Sequence, residues 1–272
     1  MRSARFRFSK TGTRLLGCAV APFMAQLPID RFLPALGVPF LFALAAWMMR
    51  AVTLSGAAAG AVTAFLIYYG LGFGGFLVLF AVFVVAVATT SLGYERKLRL
   101  GIAQSRHGRR GSQVLANLAV AAACATVFGV FGRTEFALAA VAALAEAAAD
   151  TAASECGQAW SSQAYLITTF RQVQPGTDGG VSLVGTLAGL VAAIATFAVA
   201  LGTKILPPDA AHVVIVSAMA GLFADSILGA SLQRRGWLNN DAVNILGTAV
   251  AAAVALLMAV AVAAPSCCAH SH

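Results

Sequence analysis

Val181–Gly202 reads VSLVGTLAGLVAAIATFAVALG, twenty-two residues without a charge. A helix crossing the hydrocarbon core needs about 20 mostly apolar residues, and this run supplies them. A barrel strand would instead alternate polar and apolar residues in segments of about ten, whereas this stretch is apolar on every face. Lipid leaves only helices and closed barrels able to satisfy their own backbone, so the run predicts a spanning helix.

Working outward, the pattern repeats along all 272 residues, of which 60% are hydrophobic and only 10% charged. A soluble domain carries roughly 25% charge. The expected architecture is therefore all-α, a polytopic transmembrane helix bundle of about nine spans. They run Leu15–Ile29, Phe32–Met49, Ser55–Gly70, Gly72–Gly93, Val114–Phe131, Phe136–Cys156, Val181–Thr203, Ala211–Leu232 and Ala242–Ala264. The first is short and contains Pro22 and Pro28, so without it the count is eight. Residues 1–49 read as a basic tail with one or two spans, 50–264 as the main membrane domain, and 265–272 as a flexible Cys/His tail.

The formal net charge of +8 comes from cations in the loops, with no soluble basic domain, so membrane topology explains it and nucleic acid does not. With the amino terminus in the cytoplasm, fifteen of the eighteen basic residues fall inside and only Arg31, Arg133 and Lys204 outside. The positive-inside rule favours that orientation, with the carboxyl terminus outside. Short loops and abundant alanine suit a bacterial plasma membrane, while the Arg-rich, acid-free first 29 residues would also suit an organellar transit peptide. The oligomeric state is not legible. Cys18, Cys124, Cys156, Cys267 and Cys268 lack paired zinc spacing, and Cys267, Cys268, His270 and His272 read as a chain-end tail.

Charged side chains inside apolar helices are costly and mark function. In the sixth span Glu146, Asp150 and Ser154 follow an i, i+4, i+8 row, with Thr151 and Glu155 on the adjoining one. In the eighth, Asp225 lies between Gly221 and Gly229, which admit a close neighbour or a ligand. Aligning Asp150 with Asp225 also matches Gln158 with Gln233, a faint parallel repeat that would let two helices offer carboxylates to one cation. Arg109, Arg110, Gln113 and Asn117 gather before and in the fifth span, Gly176-Thr177-Asp178-Gly179-Gly180 before the seventh, and Asn239, Asn240 and Asn244 at the ninth. All are expected on one membrane face.

Carboxylates take a cation, and guanidinium groups and Gly-rich backbone take phosphate oxygens, so the set fits a Mg²⁺-nucleotide and phosphoryl transfer. The G-x-G-x-x-G of Gly70, Gly72 and Gly75 lies in an outer turn with no βαβ unit, and there is no Walker motif. The rival reading is a transporter of an anionic or lipid substrate whose acids bind a coupling cation.

The ordered segments Arg50-Ala-Val-Thr-Leu-Ser-Gly56, Arg109-Arg110-Gly-Ser-Gln113-Val-Leu-Ala-Asn117, Ala149-Asp150-Thr-Ala-Ala-Ser-Glu155, Gly176-Thr-Asp-Gly-Gly-Val-Ser-Leu-Val-Gly185 and Ala224-Asp225-Ser-Ile-Leu-Gly229-Ala, followed by Asn239-Asn240 and Asn244, resemble the motif series of the membrane family that includes transmembrane protein 19 and chloroplast phytyl-phosphate kinase. The resemblance implies conversion of an isoprenyl monophosphate to its diphosphate by a nucleoside triphosphate, CTP being favoured. On that reading Asp150, Asp225, Glu155 and Asp178 hold or orient Mg²⁺, with the first three catalytic, and Arg109 and Arg110 neutralise phosphate. Asn117, Asn240 and Asn244, with Gly176, Thr177 and Gly179, serve the nucleotide.

Overall fold

A computed structural model describes residues 29–103 and 108–263. The expected first span up to Pro28 and the Cys267–His272 tail lie outside the described residues. Eight helices follow in order: α1 (Ile29–Met48), α2 (Leu54–Ser91), α3 (Tyr94–Arg99), α4 (Gly111–Phe131), α5 (Thr134–Trp160), α6 (Leu183–Gly202), α7 (Ala211–Leu228) and α8 (Asn240–Ala263). Six stretches are long and apolar enough to cross a membrane, from α2, α4, α5, α6, α7 with its flanking turns, and α8; α1 carries a shorter apolar run, Phe32–Met48. The protein is thus a mostly helical, multi-pass membrane protein. Nine spans are not reached among the described residues.

Helix α2 spans 38 residues, but Gly72 breaks it with φ 71° and ψ −167°. A straight helix of that length would separate its ends by about 57 Å. Instead Gly56 and Thr90, near opposite ends, line one cavity. The chain turns back at Gly72 into two arms, which match the separate spans expected on either side of that residue. A side chain at this left-handed φ would be strained, so glycine is what permits the reversal.

Helix α5 is the axis. Its apolar window is 83% buried against 33–39% for the other crossing helices, and α2, α4, α6, α7 and α8 all pack on it. Twelve of its 27 residues are alanine, which keeps neighbouring backbones close where lipid supplies no hydrophobic drive between helices. The outer helices turn large side chains outward, among them Leu183, Val191 and Leu257.

The all-α expectation holds for the bundle, with one small addition. Between α5 and α6 the chain forms a small antiparallel sheet, β1 (Ala164–Leu166), β2 (Gln172–Val173) and β3 (Gly180–Val181), in the order β2-β1-β3. It stands at the polar end of the bundle, where its strands are too short to announce themselves by alternation. Helix α7 ends in a π-helical turn, Gly229–Gln233, a form often found at functional positions.

Candidate functional site

Arg109 is held by its backbone. It forms an isolated parallel bridge with Val52, donating its N–H to the Ala51 carbonyl (3.1 Å) and accepting at its own carbonyl from the Thr53 N–H (3.0 Å) and the Thr53 hydroxyl (3.3 Å). Ser55 Oγ accepts from the Gly111 N–H at 3.2 Å, fixing the start of α4 beside it. A Cβ at Gly56 would run into the Arg109 carbonyl oxygen, so only glycine lets the two segments approach this closely. The Arg50–Gly56 segment is therefore a clasp that positions Arg109. It begins at Arg50, itself in the left-handed region at φ 59°.

The two adjacent arginines part company. Arg109 turns inward, where burial lowers its pKa while the nearby Glu155 and Asp150 carboxylates oppose that shift; a guanidinium starting so high stays charged. Arg110 is exposed, lines none of the three spaces described below, and donates its backbone N–H to the Gln113 side-chain oxygen (2.9 Å) as the cap of α4.

Glu155 is fully engaged. Its Oε2 meets Lys97 Nζ at 2.6 Å, and its Oε1 accepts from the Thr90 hydroxyl at 3.1 Å. Lys97 is 1% exposed and also donates to the Thr89 and Thr90 carbonyls. This pair ties the end of α2 and α3 to the end of α5. Arg96, beside it, donates to the Ala159 and Ser161 carbonyls and so finishes α5. The geometry makes Glu155 first a partner of Lys97, a role the sequence reading did not assign.

The other acids are differently placed. Asp150 and Asp225 line one cavity of about 200 Å³ together with Asp178, Gln158 and Gln233, so the two helices of the suspected repeat do bring their acids to one space. Asp225 Oδ2 and Glu146 Oε1 are buried with no hydrogen-bond partner among the described residues. Both face the same point: a Cβ on Gly247 would stand 2.6 Å from Glu146 Oε1 and 3.5 Å from Asp225 Oδ2. Gly221 is likewise filled by protein, since a Cβ there would meet the Glu146 Cγ and the Gly247 carbonyl, each at 2.6 Å. At Gly229 the loop residue Gly179 packs in its place. Neither glycine flanking Asp225 is open to a ligand.

No group of three or more His, Cys, Asp or Glu forms a ready cage among the described residues. Mg²⁺ is commonly held by one or two carboxylates with phosphates and water. Asp150 and Asp225, with the Asp225 Oδ2 that has no partner among the described residues buried beside a polar cavity, fit that manner of binding.

The glycine run placed before the seventh span does not itself begin a helix. Helix α6 starts at Leu183, capped by Ser182, whose hydroxyl accepts from the Gly185 N–H at 3.1 Å. Gly176–Gly179 instead form the turn between β2 and β3, with Gly180 donating to the Thr177 carbonyl at 2.8 Å. That turn walls the 200 Å³ cavity opposite Asn240 and Asn244, one helical turn apart on α8. Asn239 caps α8 by accepting from the Ala242 N–H at 2.8 Å.

A second crevice of about 110 Å³ joins Arg109, Gln113 and Asn117 to Asp150, Glu155, Asn240 and Asn244. Beyond Arg109 lies a third space of about 350 Å³, bounded by α1, both arms of α2, and α4, whose lining is mostly apolar. Polar cavity, charged crevice and apolar groove thus lie in series, with Arg109, Gln113 and Asn117 shared by the last two. Of the site residues expected from sequence, only Arg110 stands apart. Glu146 belonged to the acidic row but was not assigned a role; Lys97 and Thr90 gave no signal, because their contacts join segments 58 and 65 positions apart.

The sequence profile described as "Integral membrane protein DUF92" matches residues 37–252. Protein VTE6, chloroplastic, of Arabidopsis thaliana is 38% identical over 78% of this chain and 66% of its own length. An uncharacterized membrane protein of Synechocystis sp. is 36% identical over 70% of this chain and 76% of its own. Another, from Methanocaldococcus jannaschii, is 31% identical over 77% and 86%. No solved structure matches.

Proposed function

This chain belongs to the DUF92 family of integral membrane proteins, and we propose that it is a Mg²⁺-dependent phosphotransferase converting a phytyl-like prenyl monophosphate to the diphosphate with a nucleoside triphosphate. The observation that carries this reading is the series of spaces meeting at Arg109 and Asp150: a polar cavity walled by a glycine turn, a charged crevice, and an apolar groove. Each matches one part of the two substrates. The motif resemblance supplies the substrate class and favours CTP; kinship to VTE6 is consistent with it.

In this reaction an oxygen of the lipid monophosphate attacks the γ-phosphorus. The bond to the β-phosphate oxygen breaks, and the nucleoside diphosphate leaves. The acceptor is already an anion near neutral pH, so no strong general base is required. Positioning and charge neutralisation supply most of the acceleration. Arg109 holds phosphate oxygens with a fork set rigidly by its backbone clasp. Asp150 and Asp225, aided by Asp178 at the turn, would hold Mg²⁺, which when bound neutralises the transferring phosphoryl group. Asn117, Asn240 and Asn244 offer amide contacts along the crevice, and the Gly176–Gly179 turn lets backbone approach the donor phosphates. Glu155, locked by Lys97 and Thr90, orients the Arg109 side. Under the positive-inside rule this face is cytoplasmic, since every described cation except Arg31, Arg133 and Lys204 lies at it; a plasma membrane suits it.

The test is incubation of purified protein with Mg²⁺, each nucleoside triphosphate in turn, and phytyl, geranylgeranyl or farnesyl monophosphate, with chromatography of the lipid products. Diphosphate formed with at least one donor is expected. Its absence with every donor, from monodisperse protein, would overturn the reading. One observation favours the second reading, cation-coupled transport: Glu146 lies near the middle of α5. Flux into proteoliposomes would then replace transfer.

A further inference from the structure

The apolar groove has polar groups at one end alone. Arg109, Gln113, Asn117 and Thr151 line the end shared with the charged crevice, and Arg50, Thr90 and Tyr94 come from the chain segments at that same end of the bundle. The rest is hydrocarbon: Ala43 and Ala46 from α1 and Ala57 and Ala86 from the two arms of α2, with an edge-to-face Phe42–Phe83 pair at 4.9 Å forming one wall. An occupant must therefore be an amphiphile with one anionic head and one apolar body. A protein helix, about 10 Å across with its side chains, is too thick for a space of about 350 Å³ between packed helices. A nucleotide would leave its polar edges unpaired against alanine and phenylalanine. A single hydrocarbon chain meets both demands.

Resting on the phosphotransferase reading, we infer that this groove seats the chain of a prenyl monophosphate with its head at Arg109, and that Gly60 sets how far the chain enters. Two glycines one turn apart on the first arm of α2 differ in purpose. At Gly56 a Cβ would collide with the Arg109 carbonyl, so the clasp demands glycine there. At Gly60 a Cβ would meet nothing closer than Val114 Cγ1, at 4.0 Å. Helix packing does not require glycine at position 60, and glycine in a helix interior costs roughly 1 kcal/mol relative to alanine. Open space for a ligand accounts for it. The small floor made by Ala43, Ala46, Ala57 and Ala86 has the same consequence: it leaves room for the methyl branches of a prenyl chain where leucine would fill the groove.

The experiment is photo-crosslinking of the full chain, in detergent, with farnesyl monophosphate bearing a diazirine on its terminal isoprene unit, mapped by mass spectrometry. Neither nucleotide nor metal is needed, so the result is independent of catalysis. Label is expected on α1 and the α2 arms around Phe42 and Phe83, displaced by unlabelled farnesyl monophosphate and not by phosphatidic acid. Gly60→Leu should lower it at least tenfold. Ala86→Leu, on the facing arm, is a second plug should the first variant not fold, and Val191→Phe on the lipid-facing side of α6 should label as the parent does. Label spread over outward faces such as Leu183 and Val191, or undiminished in the plugged variants, would overturn the seat. Equal displacement by phosphatidic acid would overturn the prenyl assignment in favour of a bulk lipid. A labelled groove in protein that transfers no phosphate would keep the seat and remove the kinase; transfer with label elsewhere would do the reverse.

Discussion

Glu155 and Asp225 are carboxylates at the same end of one bundle, and the chain treats them in opposite ways. Glu155 has a buried lysine on one oxygen and a threonine hydroxyl on the other. Asp225 has a buried oxygen with no hydrogen-bond partner among the described residues, and Gly247 stands beside both it and a second such oxygen on Glu146. On the proposed reading, the difference separates what holds the protein together from what is kept for a ligand. A compensated acid belongs to the fold, whereas an uncompensated one inside a membrane protein is tolerated because something it binds, or does, requires it. The Arg109 clasp follows the same division: its backbone is fully bonded, and its guanidinium is turned toward the crevice.

Substitutions should sort along this division. Asp225→Asn is expected to cost the largest factor in phosphoryl transfer, about 10³-fold or more, as loss of a group that stabilises transferring charge does. Its melting temperature in detergent should hold or rise, because a buried carboxyl with an unpartnered oxygen gives way to an amide that can donate a hydrogen bond. Lys97→Met should show the reverse pattern, destabilising the protein by about 3–5 kcal/mol by stranding Glu155. Adding Glu155→Gln to it should recover much of that in a denaturation series. Arg109→Lys keeps the charge but loses the fork, so transfer should fall by roughly 10- to 100-fold with little change in stability, while Arg110→Lys leaves kinetics at the parental rate. Gly56→Ala should cost about 1–3 kcal/mol in the same denaturation series, by pressing a methyl group on the Arg109 carbonyl. Smallest of all, Arg133→Ala, which removes an exposed pair with Glu135, should shift stability by less than about 1 kcal/mol. Equal stability losses for Asp225→Asn and Lys97→Met would erase the distinction between the two acids.

Much of this was legible in the chain because lipid imposes a coarse code. Long uncharged runs had to be helices, and the arms on either side of Gly72 read as separate spans in the sequence, as they are in the structure, where the chain turns back at that residue. Asp150, Asp225, Asn240 and Asn244 stood out because polar side chains in apolar helices are rare, and they do line one cavity. Other features were hidden for physical reasons. The sheet at Ala164–Val181 is made of strands two or three residues long, below the length at which alternation can register. Periodicity cannot separate Arg109 from Arg110, since the bridge to Val52 that turns one inward joins residues 57 apart in sequence. The Lys97–Glu155 pair is equally non-local. Lys97 reads as one more loop cation under the positive-inside rule, and only tertiary packing shows it to be buried.

The most direct test follows a γ-labelled nucleoside triphosphate and unlabelled prenyl monophosphate through three proteins: the parent, Asp225→Asn, and Lys97→Met/Glu155→Gln. Label is expected to pass into the lipid diphosphate with the parent, to be lost with Asp225→Asn while that variant stays folded, and to persist at a reduced rate in the double variant. Undiminished transfer by folded Asp225→Asn, or no labelled lipid from the parent with any donor, would contradict the account.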